Sequence, residues 1–200
     1  MLRRREVAYV RVGSDSPPTA DPADGVDGVH RCRDGSSFRV RPMSPDDADG
    51  LERFHEALSR DTIRLRFFGL HPHLSRDEIE RFTNVDHADR EAVVALAGDE
   101  IIGVGRYERL ANGSDAEVAF VVTDLWQGRG VGAVLFRQVA ERARNAGISR
   151  FVAETAIENR RMLDVFGHSG LPTTKTFDQG VVSLTMTLRS DPDGPPLTPA

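Results

Sequence analysis

Apolar residues recur at every second position in "SFRVRPMS", residues 37–44, and predict a first strand. The rhythm then changes. Ser44, Pro45 and Asp47 form a helix-opening signature with proline at the first helical position, predicting a helix through about Leu58. "DTIRLRFF" is a second helical stretch, and Ser75 with Glu78 opens a third through "RDEIERF". Period two returns in "EAVVALA", the turn "GDE" and "IIGVGRYERL", which read as a hairpin, and "DAEVAFVV" follows as another strand. Val131, Val134, Leu135, Val139, Ala143 and Ala146 fall at helical spacing and stop at Gly147. "RFVAETA" is a strand, "ENRRMLDVFGHSG" a short helix, and "TTKTF" with "VVSLTMTL" a closing pair. The predicted order is β-α-α-α-β-β-β-α-β-α-β-β, an α/β arrangement whose first half is largely antiparallel.

Both ends break this order. Residues 12–36 are rich in Gly, Pro, Asp and Ser and nearly free of large apolar side chains, so they bury too little to offset their ordering entropy. Residues 1–36 are therefore expected to be a flexible tail, 37–190 the folded domain, and 191–200 a second tail. A chain of 200 residues makes about one domain. The formal charge of −5 argues against a nucleic-acid partner, which more often meets a basic surface. No apolar run approaches the roughly 18 residues of a membrane span, and a cytoplasmic location is expected. The lone Cys32 has no partner for a disulfide within the chain.

"DLWQGRGVGAVLF", residues 124–136, places a glycine-rich turn between a strand and a helix. Such a turn presents unpaired backbone N–H groups at the positive end of a helix, a setting for phosphate. Three templates compete. A Walker loop fails, because Ala133 and Val134 stand where lysine and Ser or Thr are required. A dinucleotide fingerprint is met by Gly128, Gly130 and Ala133, with Glu154 as a ribose-binding acid, but "TDLWQ" separates the strand from the first glycine. The third template, Gln/Arg-x-x-Gly-x-Gly/Ala, is met by Gln127, Gly130 and Gly132.

On that template, with the strand "DAEVAFVV" ahead of it, the chain resembles the Gcn5-related N-acetyltransferases over roughly residues 37–188. "RPMSPDDADGLERFHEALSRDTIRLRFFG", "AEVAFVVTDLWQGRGVG" and "ENRRML" are similar to the catalytic domains of the bacterial Pat-type protein-lysine acetyltransferases within that superfamily. The resemblance implies a mixed, mostly antiparallel sheet flanked by helices and splayed where acetyl-CoA binds. Phe120, Val121 and Val122 would pair with the pantetheine arm. Gln127, Gly128, Arg129, Gly130, Val131, Gly132 and Ala133 would hold the pyrophosphate, and Asn159 would contact the cofactor; a solvated loop arginine is the other reading of Arg129. Asn is also a good helix cap in any protein. Seven residues after Asn159 the family commonly has a tyrosine that protonates the departing thiolate; this chain has Phe166.

The chemistry then needs a base. A lysine amine, with a pKa of about 10.4, costs about 4.6 kcal/mol to neutralise at pH 7. Alternation places Glu117, Ala119 and Val121 on one face of their strand and Val118, Phe120 and Val122 on the other. A carboxylate buried in so apolar a strand is costly without a partner, a setting in which carboxyls become bases near neutral pH; a strand-edge glutamate facing water or an arginine is the other reading. The resemblance gives Glu117 that role. His168, on a helix, is expected to point elsewhere. "HPH" at 71–73 and "DHAD" at 86–89 lack a second cluster at ligand spacing, so no metal is expected. "RLRFF" carries Arg64, Arg66, Phe67 and Phe68 along a stretch that borders the acceptor groove in the family; apolar packing with solvated arginines is the other reading.

The expected function is direct transfer of acetyl from acetyl-CoA to a lysine of a partner protein, such as an acetyl-CoA synthetase. A small-amine acetyltransferase and a non-catalytic acyl-CoA-binding regulator are the alternatives, the latter kept open by Phe166.

Overall fold

The structure is a computed structural model and describes residues 28–32, 34–69 and 73–189. Among them the strands form one eight-stranded sheet in the order β1-β2-β3-β4-β5-β6-β8-β7. The strands are β1 (Val29–Arg31), β2 (Ser37–Pro42), β3 (Arg90–Ala97), β4 (Glu100–Arg109), β5 (Asp115–Val122), β6 (Arg150–Ala156), β7 (Thr173–Asp178) and β8 (Val181–Thr187). Every neighbouring pair is antiparallel except β5 with β6. The helices are α1 (Ala48–Glu56), α2 (Arg60–Phe67), α3 (Arg76–Thr83), α4 (Val131–Asn145) and α5 (Arg160–Gly167). The expected mixed, mostly antiparallel sheet flanked by helices is present.

Local chemistry starts the helices where the sequence says. The Asp47 carboxylate accepts from the Ser44 N–H at 2.8 Å, closing a short 3₁₀ turn over Pro45–Asp47 ahead of α1. Ser75 and Glu78 satisfy each other's backbone N–H groups at the start of α3. Ser59 caps α2 by accepting from the Thr62 N–H. α2 stops at Phe67, and Phe68 turns left-handed with φ 54°.

Helices cover both faces of the sheet. On one, α4 buries Val131, Leu135, Phe136, Val139, Ala140 and Ala143 against Val93, Ala95 and Phe120, and α5 adds Phe166. On the other, α1 and α2 bury Leu51, Phe54 and Ile63 against Val94, Leu96 and Val104. The central strand β3 is consequently buried on both faces, which explains its near-continuous apolar sequence.

The N-terminal boundary requires a correction. Residues 28–36 do not all belong to a tail: Val29, His30 and Arg31 pair with Arg39, Phe38 and Ser37, and Cys32 is buried in the core. A strand of three residues, supplied with a partner by β2, needs no apolar periodicity of its own. Residues 1–27 and 191–200, where the rest of the two expected tails falls, lie outside the described residues.

Candidate active site

The pairing of β5 with β6 runs only from Asp115 opposite Arg150 to Glu117 opposite Val152. Arg150 fastens that closed end, donating from Nε and Nη2 to the two carboxylate oxygens of Asp115 at 2.8 and 2.9 Å. The Arg150 guanidinium holds the buried Asp115 carboxyl below its ordinary value. Beyond Glu117 the strands part. The edge of β5 facing β6 has no strand partner over residues 118–122, although its other edge pairs with β4 through Val122.

A cavity of about 740 Å³ opens in the gap. Its wall includes Glu117 and Phe120, Val121 and Val122 from β5, Thr155 from β6, and Asn159 from the turn into α5. The glycine loop contributes Gln127, Gly128, Gly130, Gly132 and Ala133. Gly128 and Gly130 have φ of +73° and +94°, values that strain any residue with a Cβ. They turn the chain so that α4 begins at the cavity. Its first turn leaves N–H groups without intrahelical acceptors and brings the positive end of the helix dipole. The expectations for β5, the loop and Asn159 thus meet around one space.

Several details differ from expectation. Glu117 is exposed. Alternation assigns it the correct face, but that face carries the cavity opening under α2, so the burial expected from an apolar strand is absent. Arg129 does not line the cavity: its guanidinium pairs with Asp34 at 2.8 Å and lies over Trp126. The Val131 side chain is in the core, leaving only its backbone for a ligand. The Phe120 ring is buried beside Phe136 and Phe166 and likewise offers backbone alone.

Gln127 uses its side chain to hold the loop, donating from Nε2 to Val122 O at 2.9 Å and accepting from Arg161 Nη1 at 2.6 Å. Asn159 Oδ1 caps α5 by accepting from the Met162 N–H. His168 bonds Asp164 O at the end of α5 and lies outside the cavity wall. Cys32 is outside it too.

The site has a roof in α2, the stretch expected either to border the acceptor groove or simply to pack, and its tethers are what sequence reasoning missed. α2 spans the gap between β5 and β6, tethered on both sides. The Asp124 carboxylate accepts from the Ser59 N–H at 3.1 Å, the Ser59 hydroxyl at 2.8 Å and the Thr62 hydroxyl at 2.9 Å. Burial opposes ionisation of Asp124, but these bonds hold its carboxyl below the usual range. On the far side Arg64 pairs with Glu158. Leu65, Arg66 and Phe67 of α2, with Phe68 just after it, line the cavity. The partners are 62 to 94 residues apart in sequence, beyond the reach of local periodicity. Among the described residues no cluster of three or more His, Cys, Asp or Glu could hold a metal ion, and no helix is long and apolar enough to cross a membrane. His71 and Pro72 of the "HPH" stretch lie outside the described residues.

A parallel strand pair that opens over a glycine loop at a helix start forms a site suited to a ligand with both phosphate and amide groups. The model of the acetyltransferase (GNAT) domain matches residues 37–172, and the chain belongs to that family. It is an acyltransferase. The solved GNAT domain of Pat from S. lividans is 39% identical, covers 84% of this chain and 99% of its own, and superposes with a TM-score of 0.76. Acetyltransferase PA5475 of Pseudomonas aeruginosa is 27% identical over 71% of this chain and 78% of its own length. Acetyltransferase Pat of Mycolicibacterium smegmatis is 31% identical over 75% of this chain; the matched region is 45% of that protein.

Proposed function

We propose that the protein transfers acetyl from acetyl-CoA directly to a lysine side chain of a partner protein, such as an acetyl-CoA synthetase. The observation that carries the proposal is that Glu117 and the glycine loop open onto the same cavity. Acetyl-CoA fits the donor set. N–H groups at the start of α4 suit a pyrophosphate, and the unpaired edge of β5 suits the amides of a pantetheine arm. The likeness to two Pat proteins supports the choice of a protein lysine over a free amine.

In this reading Glu117 takes a proton from the acceptor ammonium, directly or through water. The freed amine attacks the thioester carbonyl carbon, a C–N bond forms, and the C–S bond breaks with its electrons on sulfur. Backbone N–H groups near Val121 stabilise the negative charge on the carbonyl oxygen. The thiolate leaves with no tyrosine to protonate it, because Phe166 is a buried ring within an aromatic cluster. A free thiol has a pKa of about 8.5, so the thiolate is a tolerable product near neutral pH. No acyl-enzyme is formed, since Cys32 is the chain's single cysteine and lies outside the cavity wall.

The test is acetyl transfer to an acetyl-CoA synthetase and to a panel of free amines, read by mass and by CoA release. Modification of the protein lysine supports the proposal. Modification of free amines alone gives the site to a small-amine acceptor.

A further inference from the structure

Six charged side chains gather where α2 and α3 meet β4 and β5, at the Glu117 end of the cavity. They are Arg66, Arg81, Arg90, Arg106, Glu108 and Glu117. Two of the arginines have anions: Arg81 Nη2 donates to Glu108 at 2.7 and 2.8 Å, and Arg90 lies 3.6 Å from Asp86. Arg66 and Arg106 make no hydrogen bond or ion pair with any described residue. Both are half-buried.

Their placement is specific. Arg66, in the last turn of α2, is part of the cavity wall beside Glu117 and Ala119. Arg106 is not itself part of that wall, but it sits opposite Ala119, which is, in the β4–β5 ladder, so its side chain shares the sheet face of Glu117. Each guanidinium lies over an aromatic ring, Arg66 at 5.0 Å from the Phe67 centroid and Arg106 at 4.3 Å from that of Phe82. A ring holds the flat face of a guanidinium and leaves the N–H groups at its edge free to bind.

We propose that Arg66 and Arg106 form an anion subsite at the acceptor end of the cavity, which takes a carboxylate carried by the acceptor close to the amine that is acetylated. This rests on the transferase reading above and narrows its substrate. Half-buried guanidinium groups with no anion bonded to them are unfavourable, and two of like sign near one another are more so. Burial, opposed by Glu117, pushes Arg66 below its ordinary value. Arg106 is pushed down to about 10, first by burial and next by the charge of Arg66. A bare alkylammonium entering here meets two cations against the one carboxylate of Glu117. An acceptor that also carries a carboxylate reverses that balance, and a planar fork matches carboxylate geometry with two parallel bonds.

The carboxylate has two natural sources, an acidic residue flanking a peptide lysine or the α-carboxylate of a free amino acid. The experiment separates them. It compares kcat/KM, read from CoA release, for peptides with Glu or Gln beside the acceptor lysine, and for lysine against its decarboxylated diamine, cadaverine. The carboxylate-bearing partner of at least one pair is expected to be favoured by about tenfold or more. A preference in the peptides assigns an acidic flank, and one confined to free lysine assigns a small zwitterion. Arg66→Gln and Arg106→Gln should each shrink the preference and together abolish it, with acetyl-CoA affinity unchanged within about twofold by calorimetry. Arg66→Lys keeps the charge without the fork, should retain part of the preference, and supplies the readout if Arg66→Gln melts early. Equal kcat/KM within both pairs, or a preference that survives the double substitution, overturns the subsite and leaves the transferase reading standing. No turnover of any amine, with acetyl-CoA still bound, overturns both.

Discussion

The two ends of β5 behave as different materials. At its start, three residues pair with β6 and Arg150 clamps Asp115, so the strand is a structural seam. Past Glu117 the same strand loses its β6 partner and becomes one wall of a cavity. Glu117 stands at the boundary. A sheet ordinarily pairs every buried backbone group, so a strand unpaired along one edge is where a ligand can supply the missing bonds. The closed end fixes the angle at which the open end diverges, and α2 covers the gap through Asp124 on one side and Glu158 on the other.

Removing the carboxylate at the boundary should have the largest effect. Glu117→Gln is expected to lower kcat/KM by about 10²-fold or more, with acetyl-CoA affinity within about twofold of wild type. Stopped-flow CoA release and calorimetry read the two quantities separately; a parallel loss of binding would place Glu117 in the cofactor's site and not in its chemistry. Next comes the open end itself. Gly130→Val puts a β-branched side chain at φ +94° and should weaken acetyl-CoA binding by about tenfold or more, while costing about 1–2 kcal/mol of stability. Unchanged affinity would remove the loop from the cofactor site.

Asp115→Asn probes the closed end, and should cost about 1–3 kcal/mol in denaturant unfolding near neutral pH. The Asp115 carboxyl is held below its ordinary value of 3.8, so its contribution is full above that value and is lost as pH falls through the lower folded value. The gap in stability between wild type and Asp115→Asn should therefore narrow on acidification below about pH 4. A gap that widened instead would show that Arg150 is not the anchor. Smallest is the tether. Asp124→Asn should raise KM for the acceptor about three- to tenfold, with little change in acetyl-CoA affinity, because it loosens α2 and not the loop.

The parts legible in the sequence were those set by neighbours along the chain. Ser44 and Ser75 precede helices because caps act within one turn. Alternation along β5 put Glu117, Ala119 and Val121 on one face, as found, and the glycine spacing marked the turn into α4. What failed depended on distant partners. β1 is a strand because β2 lies beside it, whereas the sequence around Val29 reads as part of a flexible tail. Arg129 was expected at a phosphate, but Asp34, 95 residues away, holds it. Alternation told which way Glu117 points without telling that α2 leaves that face open. Arg66 was legible only as part of a stretch bordering the acceptor groove, and Arg106 showed no signal apart from other arginines until β4 and α2 brought the two together.

Hydrogen exchange of backbone amides, with and without acetyl-CoA, tests most directly whether the open end of β5 is the cofactor site. The account predicts new protection at residues 131–133 and at Val118, Phe120 and Val122, the alternate β5 amides that face away from β4 into the gap, with the already paired residues 115–117 nearly unchanged. Saturating acetyl-CoA that left both segments exchanging at their free rates, or protected a different part of the sheet, would contradict it.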